Sequence, residues 1–324
     1  MPLAVIVSPS LLPGGNRVTA LRWAKRLREL AWDVKVDEAW DGRPADILIA
    51  LHARKSRDSI ERWSSGEKTR PLVVAATGTD VYVDLQGDSP EARSALEGLE
   101  RADRIVVLQK HGLQDLPAHL HERARVVHQS LHAGGVRPDA DQEKFEVVVL
   151  GNLRAVKDPL LTARAVRRLP EQSRIRVRHL GRGLEPELAE QARRLRGPRW
   201  SWEGVVSRRD ALCALAGSRL TIMPSRVEGG ANVASEALAL GVPILATRIP
   251  GTTGLLGEDH PGLFEVGDDE GLARLLLRAE QDPRFLADLH AAGTRLAHLA
   301  DPETERETWR GLLAELMPGA ADPS

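Results

Sequence analysis

The sequence has a single cysteine among its 324 residues, so it can form no internal disulfide bond. Its 45 basic and 46 acidic residues nearly cancel, which argues against a surface charged for nucleic acid or an anionic membrane. No stretch approaches the roughly 20 apolar residues that cross a bilayer, and residues 1–8 carry no basic leader. These absences predict a cytoplasmic protein with neither a nucleic-acid nor a membrane partner.

Short β-rich runs alternate with amphipathic helical segments, a pattern that predicts an α/β fold with parallel sheets covered by helices. The predicted strands span residues 3–8, 34–37, 47–51, 72–77, 104–108, 125–128, 145–150, 175–180, 220–223 and 243–246. A segment rich in glycine, proline and charge, residues 132–141, predicts a boundary near residue 140. We therefore expect two doubly wound, Rossmann-like domains, 1–140 and 141–324, with terminal helices in the second and a ligand cleft between them.

The most informative stretch, residues 224–243, follows a predicted strand and opens a helix. Two glycines, Gly229 and Gly230, allow a ligand close to the backbone, and the helix N-terminus offers free amides to an anion. Glu228 lies on the loop before the helix, whereas Glu236 lies about one and a half turns into it. Carboxylates suit sugar hydroxyls rather than phosphate, so this stretch predicts a nucleotide-sugar site.

A second motif, residues 151–159, follows the first predicted strand of the second half. Its Arg154 and Lys157 are three residues apart at a strand-to-helix turn, so both cations are expected to point into the same cleft. A departing nucleotide diphosphate carries about two to three negative charges, which paired cations and helix amides can stabilise without a metal ion.

These two motifs resemble those of the family 4 glycosyltransferases of the GT-B fold, in which two glutamates are separated by seven residues, as Glu228 and Glu236 are. The resemblance implies that Glu228 lies near the transferred sugar, Glu236 holds the ribose, and Arg154 and Lys157 bind the diphosphate. The implied catalytic residues are Arg154, Lys157 and Glu228. The implied donor-binding residues are Gly151, Arg154, Lys157, Glu228, Gly229, Gly230, Ala231, Asn232, Val233 and Glu236.

No metal ligand is expected. The D-x-D pattern of Asp139 and Asp141 falls in the predicted linker rather than at a strand end. We therefore interpret it as a solvated loop. The absence of G-x-G-x-x-G disfavours a dinucleotide-dependent dehydrogenase.

Polar side chains also follow the predicted strands of the first half, on the side of the sheet where ligands bind. Together they form a basic half-site suited to a small anion, and we expect the first domain to bind the acceptor. The candidate acceptor residues are Gly15, Asn16, Arg17, Thr19, His52, Arg54, Thr77, Gly78, Thr79 and Asp80.

Four phrases of the first half, beginning at Gly14, Leu51, Thr77 and Val107, resemble those of the selenosugar synthases of selenoneine biosynthesis. This resemblance covers nearly the whole chain. It implies transfer of a sugar, N-acetylglucosamine, from its UDP donor onto the selenium of selenophosphate. UDP-sugar is then a substrate, and no cofactor is expected. An ionised selenium is already a nucleophile, so no general base is assigned.

The residues by themselves lead only to a nucleotide-sugar transferase with an anion-binding acceptor side. Three alternatives stay open at this point: a family 4 transferase acting on a hydroxyl, a nucleotide-sugar epimerase of the same architecture, and a non-catalytic sugar-nucleotide-binding protein. The sugar, the base, the stereochemistry and the oligomeric state are likewise open.

Overall fold

A computed structural model describes residues 1–10, 14–66, 70–138 and 144–318. The Asp139 and Asp141 pattern lies outside them. The first half forms one six-stranded parallel sheet in the order β2-β1-β3-β4-β5-β6. Its strands are β1 (Leu3–Val7), β2 (Asp33–Asp37), β3 (Ile47–Leu51), β4 (Leu72–Ala76), β5 (Arg104–Val107) and β6 (Ala124–Val126). The central strands are continuous apolar runs because helices cover both faces.

The second half forms another six-stranded parallel sheet, in the order β12-β11-β10-β7-β8-β9. Its strands are β7 (Phe145–Leu150), β8 (Ile175–Leu180), β9 (Trp200–Gly204), β10 (Leu220–Met223), β11 (Ile244–Thr247) and β12 (Leu263–Phe264). The α/β prediction with two Rossmann-like sheets is confirmed, and each of the ten predicted strands is found within two residues of its predicted ends. Of the other two strands, β9 lies where the alternation of Trp200 and Trp202 indicates a strand, whereas the two-residue β12 was not predicted, because so short a strand leaves no alternating pattern to recognise.

Helices connect most of the strands, whereas β2 runs to β3 without one. The helices of the first half are α1 (Gly15–Glu29), α2 (Arg57–Ser64), α3 (Pro90–Glu100) and α4 (His111–Gln114). Those of the second half are α5 (Leu161–Arg167), α6 (Pro186–Leu195), α7 (Arg208–Gly217), α8 (Asn232–Leu240), α9 (Pro250–Leu256), α10 (Asp269–Gln281), α11 (Pro283–Leu296) and α12 (Pro302–Leu316). In the ranges that the structure describes, no helix is both long and apolar enough to cross a membrane.

The chain divides into two compact units that are not simple halves. The first unit is Met1–Ser130, Glu228–Asn232 and Asp301–Ser324, and the second is Leu131–Val227 and Val233–Ala300. The predicted division at residue 140 therefore differs from the structure in its assignment of the C-terminal helix.

The physical reason is the apolar stripe of α12. Trp309, Leu312 and Leu313 are buried in the core of the first sheet, where Trp309 packs edge-on against Trp23 of α1 with ring centroids 4.9 Å apart. Burial of these side chains on α1 places the end of the chain in the first unit.

Candidate functional site

The two predicted donor motifs follow neighbouring strands of the second sheet. Strands β7 and β10 lie side by side at the point where the strand order reverses, and Val147 is in register with Leu220. Parallel strands end at the same edge of the sheet, so the segments after Leu150 and Met223 leave that edge together. Open α/β sheets bind their ligands in the crevice at such a switch point.

An ion pair and backbone bonds join the two motifs within the second unit. The Arg226 amide donates to the Val156 carbonyl at 2.8 Å, and its guanidinium lies 2.7 Å from a carboxylate oxygen of Asp158. The other Asp158 oxygen accepts from Arg164 at 3.2 Å, and Asp158 itself has a left-handed backbone, with φ of 38°. Sequence reasoning missed Asp158 and Arg226, because partners 68 residues apart leave no local pattern.

The first motif begins at a turn that a buried histidine holds in place. His179 of β8 lies 2.8 Å from the Gly151 carbonyl through Nε2, and burial lowers its pKa to about 4. His179 is therefore neutral at pH 7 and donates to that carbonyl. The backbone after β8 also packs tightly against this turn, since a Cβ added to Gly181 would lie 2.1 Å from the same carbonyl oxygen. The backbone at Gly151 is therefore rigidly placed.

Arg154 and Lys157 lie where the sequence predicted, on the loop after β7. Arg154 precedes a 3₁₀ turn over Ala155–Lys157, of which Lys157 is the last residue, and both are half-buried. The Ala155 amide donates to the Glu185 carboxylate at 3.1 Å. The Ala155 amide is thus engaged by a carboxylate, and the loop carries two cations of the kind that bind a diphosphate. Their roles stay predictions.

The two glutamates have different surroundings. Glu236 of α8 is buried, and its carboxylate lies 2.9 Å from the guanidinium of Arg208, the first residue of α7. Glu228 is half-buried and belongs to the segment Glu228–Asn232, which packs with the first unit. Ala231 and Val233 frame the start of α8 at Asn232. Arg208 is a third residue that the sequence reasoning missed, after Asp158 and Arg226.

The glycines before α8 have a packing role that the sequence did not indicate. Within the first unit, a Cβ on Gly229 would lie 2.3 Å from the Thr77 carbonyl oxygen and 2.4 Å from Gly78 Cα. Gly230 likewise packs on Leu108. A side chain is therefore excluded at Gly229 by the protein backbone and at Gly230 by the side chain of Leu108. This is an additional reason for glycine beside the predicted approach of a ligand.

Asp80, a predicted acceptor residue, is fully buried and bound to backbone amides. Its carboxylate accepts from the amides of Gly78 at 2.7 Å, Thr77 at 3.1 Å and Ala53 at 3.2 Å. These bonds shape the turn after β4 and join it to the turn after β3. The geometry therefore gives Asp80 a positioning role.

His52 and Arg54, after β3, lie beside that turn. His52 has a left-handed backbone with φ of 70°, and its Nε2 is 3.0 Å from the Thr79 hydroxyl. Burial lowers the pKa of His52 against the opposing effect of the nearby Asp80 carboxylate. Arg54 forms two bonds with Asp84, at 2.8 and 3.2 Å. The structure thus brings His52, Arg54 and Thr77–Asp80 together, as expected for strand ends of one sheet.

The remaining acceptor candidates lie at the start of α1. The Thr19 hydroxyl donates to the Gly15 carbonyl at 3.0 Å and accepts from Gln129 at 2.7 Å, so it is engaged in hydrogen bonds within the first unit. Asn16 and Arg17 are half-buried. Arg17 differs from Arg54 in that its buried Nη1 has no hydrogen-bond partner among the described residues. Arg17 is therefore the candidate cation with an unused donor.

The second half of the chain is similar to a known protein family. Residues 144–282 match the family described as "Glycosyl transferases group 1", a segment somewhat shorter than half of the chain. This segment is therefore similar to that family. The D-inositol 3-phosphate glycosyltransferase of Streptomyces bingchenggensis is 26% identical over 303 residues, which cover 81% of this chain. The chain spans 65% of the length of that relative.

Solved structures extend the likeness to the whole chain. Anabaena HepE in complex with UDP-glucose superposes with a TM-score of 0.79 at 16% identity, covering 97% of this chain and all of that one. The sucrose-phosphate synthase of Thermosynechococcus elongatus superposes with a TM-score of 0.81 at 15% identity, covering 98% and 99%. The protein therefore has the two-sheet α/β fold of the GT-B glycosyltransferases.

Proposed function

We propose that the protein is a glycosyltransferase that moves a sugar, N-acetylglucosamine, from a UDP donor onto the selenium of selenophosphate, as in selenoneine biosynthesis. One observation carries the transferase part of this proposal. The family match covers the switch point of the second sheet, where Asp158 and Arg226 tie the two predicted donor loops together.

The donor assignment is supported by charge and by relatives. Arg154 and Lys157 offer two cations to the diphosphate, and Glu236 offers a buried carboxylate to the ribose. The HepE structure, which shares the fold, was solved with UDP-glucose, and this supports uridine as the base. We propose that the leaving diphosphate is stabilised by Arg154, Lys157 and backbone amides, without a metal ion.

The acceptor assignment is supported by the basic groups of the first unit and by the resemblance to selenosugar synthases. The Streptomyces relative is named for a small phosphorylated acceptor, D-inositol 3-phosphate. Arg17 has a buried guanidinium nitrogen with an unused donor among the described residues, which suits a small anion.

The proposed reaction balances simply. Selenium supplies the electron pair for the new carbon–selenium bond, and the bond between the anomeric carbon and the diphosphate oxygen breaks, so UDP leaves with its electron pair. Water then removes the phosphoryl group as phosphate. Because the nucleophile arrives ionised, the rate lacks the steep rise with pH that a hydroxyl acceptor needing a general base would show.

Product analysis tests the proposal. Purified protein is incubated with UDP-N-acetylglucosamine and selenophosphate, a sugar alcohol, or no acceptor, each with and without a chelator. A selenium-bearing sugar detected by mass spectrometry in the first mixture, with and without the chelator, is the expected result. Transfer to the alcohol instead would establish a hydroxyl-directed transferase, and a changed donor without acceptor would establish an epimerase. A chelator-sensitive reaction would contradict metal independence.

Arg17 provides a second prediction for the acceptor. Arg17→Ala is expected to raise the KM for selenophosphate by about tenfold to a hundredfold, because one charge-assisted bond to the anion is lost. The Kd for UDP should stay within about twofold of wild type. Lys25→Ala, which removes a charge from an exposed position of the same helix, is the matched control. An unchanged KM in Arg17→Ala would remove Arg17 from the acceptor site.

A further inference from the structure

Arg208 and Glu236 form an ion pair at the proposed donor site. Glu236 is only 3% exposed, and its Oε1 lies 2.9 Å from Nη2 of Arg208. A carboxylate this deeply buried is strongly destabilised unless a cation or hydrogen-bond donors accompany it. Arg208 supplies the cation, while about half of its own side chain stays exposed.

The contact uses one oxygen of the carboxylate and leaves the other available. Within the described part of the chain, Oε2 of Glu236 accepts no hydrogen bond, whereas a carboxylate offers about four lone-pair sites. The pair therefore holds the carboxylate in one orientation and leaves capacity to accept a hydrogen bond from a hydroxyl group.

The position of Arg208 is itself well determined. It is the first residue of α7, which follows β9 at the same edge of the second sheet from which the donor loops leave. Ser207 caps that helix, and its hydroxyl accepts from the Asp210 amide at 3.1 Å. The capped helix start fixes the backbone from which the guanidinium reaches Glu236.

We infer that Arg208 is a positioning residue for nucleotide recognition: it holds Oε1 of Glu236 so that Oε2 accepts a ribose hydroxyl of the donor. This inference rests on the proposed function, in which Glu236 binds the ribose. Arg208 and the ribose then share the carboxylate and do not compete for it.

The test compares the binding of UDP, 2′-deoxy-UDP and 3′-deoxy-UDP by calorimetry. Wild type is expected to prefer UDP over at least one deoxy analogue by about tenfold or more, since a hydrogen bond to a charged group is lost. In Arg208→Ala this preference should fall below about threefold, with little change in the affinity for that analogue. Arg208→Lys should be intermediate.

Three further variants serve as references. Glu236→Ala should lose the preference completely, and adding Arg208→Ala to it should change nothing more. Arg209→Ala removes the neighbouring exposed arginine of α7 and should keep the wild-type preference. If the ion pair is merely structural, Arg208→Ala would lower the thermal stability and weaken the binding of all three nucleotides equally. That result would contradict the inference.

The other outcomes are equally decisive. A wild-type preference retained in Arg208→Ala, or tighter UDP binding by that variant, would overturn the inference while leaving the proposed function intact. Wild type that binds UDP without preferring it to either analogue would also overturn it. Wild type that binds no UDP would overturn the proposed function together with this inference.

Discussion

Replacing Arg154 with alanine is expected to lower kcat by about 10²–10³. The negative charge on the diphosphate grows as its bond to the sugar breaks, and a cation that stabilises this charge contributes about 2.7–4 kcal/mol to the transition state. The KM for the donor should change less than kcat, because Arg154 interacts more strongly with the charge that develops in the transition state than with the charge of the bound donor. Steady-state kinetics with saturating acceptor measures both constants.

Two variants make the Arg154 result interpretable. Arg154→Lys keeps the charge but loses the planar, two-pronged donor, so it should recover only part of the activity. Arg167→Ala removes an exposed arginine near the end of α5 and should leave kcat unchanged. Turnover of Arg154→Ala within a few-fold of wild type would remove Arg154 from the catalytic residues.

Gly229→Ala is expected to lower kcat/KM by about 10², because the added methyl group has no space. Its Cβ would lie 2.3 Å from the Thr77 carbonyl oxygen and 2.4 Å from Gly78 Cα, and these are backbone atoms that cannot rotate away. The segment Glu228–Asn232 must then move, and Glu228 moves with it. A displacement of about 1 Å in a positioned group reduces turnover by about this factor.

The matched control is Gly311→Ala. Gly311 lies in α12 with no atom within 4 Å of an added Cβ, so this substitution should leave activity unchanged and add up to about 1 kcal/mol of stability. Circular dichroism of Gly229→Ala should still show the wild-type helix content, since the contact is confined to two loops. A folded Gly229→Ala with wild-type kcat/KM would mean that this packing is not needed during turnover.

Asp80 shows the difference between predicting where a motif lies and predicting what each of its side chains contacts. The residues Thr77-Gly78-Thr79-Asp80 were expected at a strand end, and they follow β4. Asp80 was expected among the acceptor-binding residues, and in the structure its carboxylate accepts from three backbone amides. A short polar motif indicates where a loop lies, whereas the direction of each side chain depends on which amides the surrounding loops leave unpaired.

The alternation of apolar strands and amphipathic helices was sufficient to predict both parallel sheets, because buried central strands must be apolar and bounded by turn residues. It also placed both predicted donor motifs at strand ends. The pairs Arg226–Asp158 and Arg208–Glu236 and the return of α12 to the first unit were decided only by the tertiary structure. Each joins residues far apart in the chain, and such contacts depend on how the elements pack rather than on any local pattern.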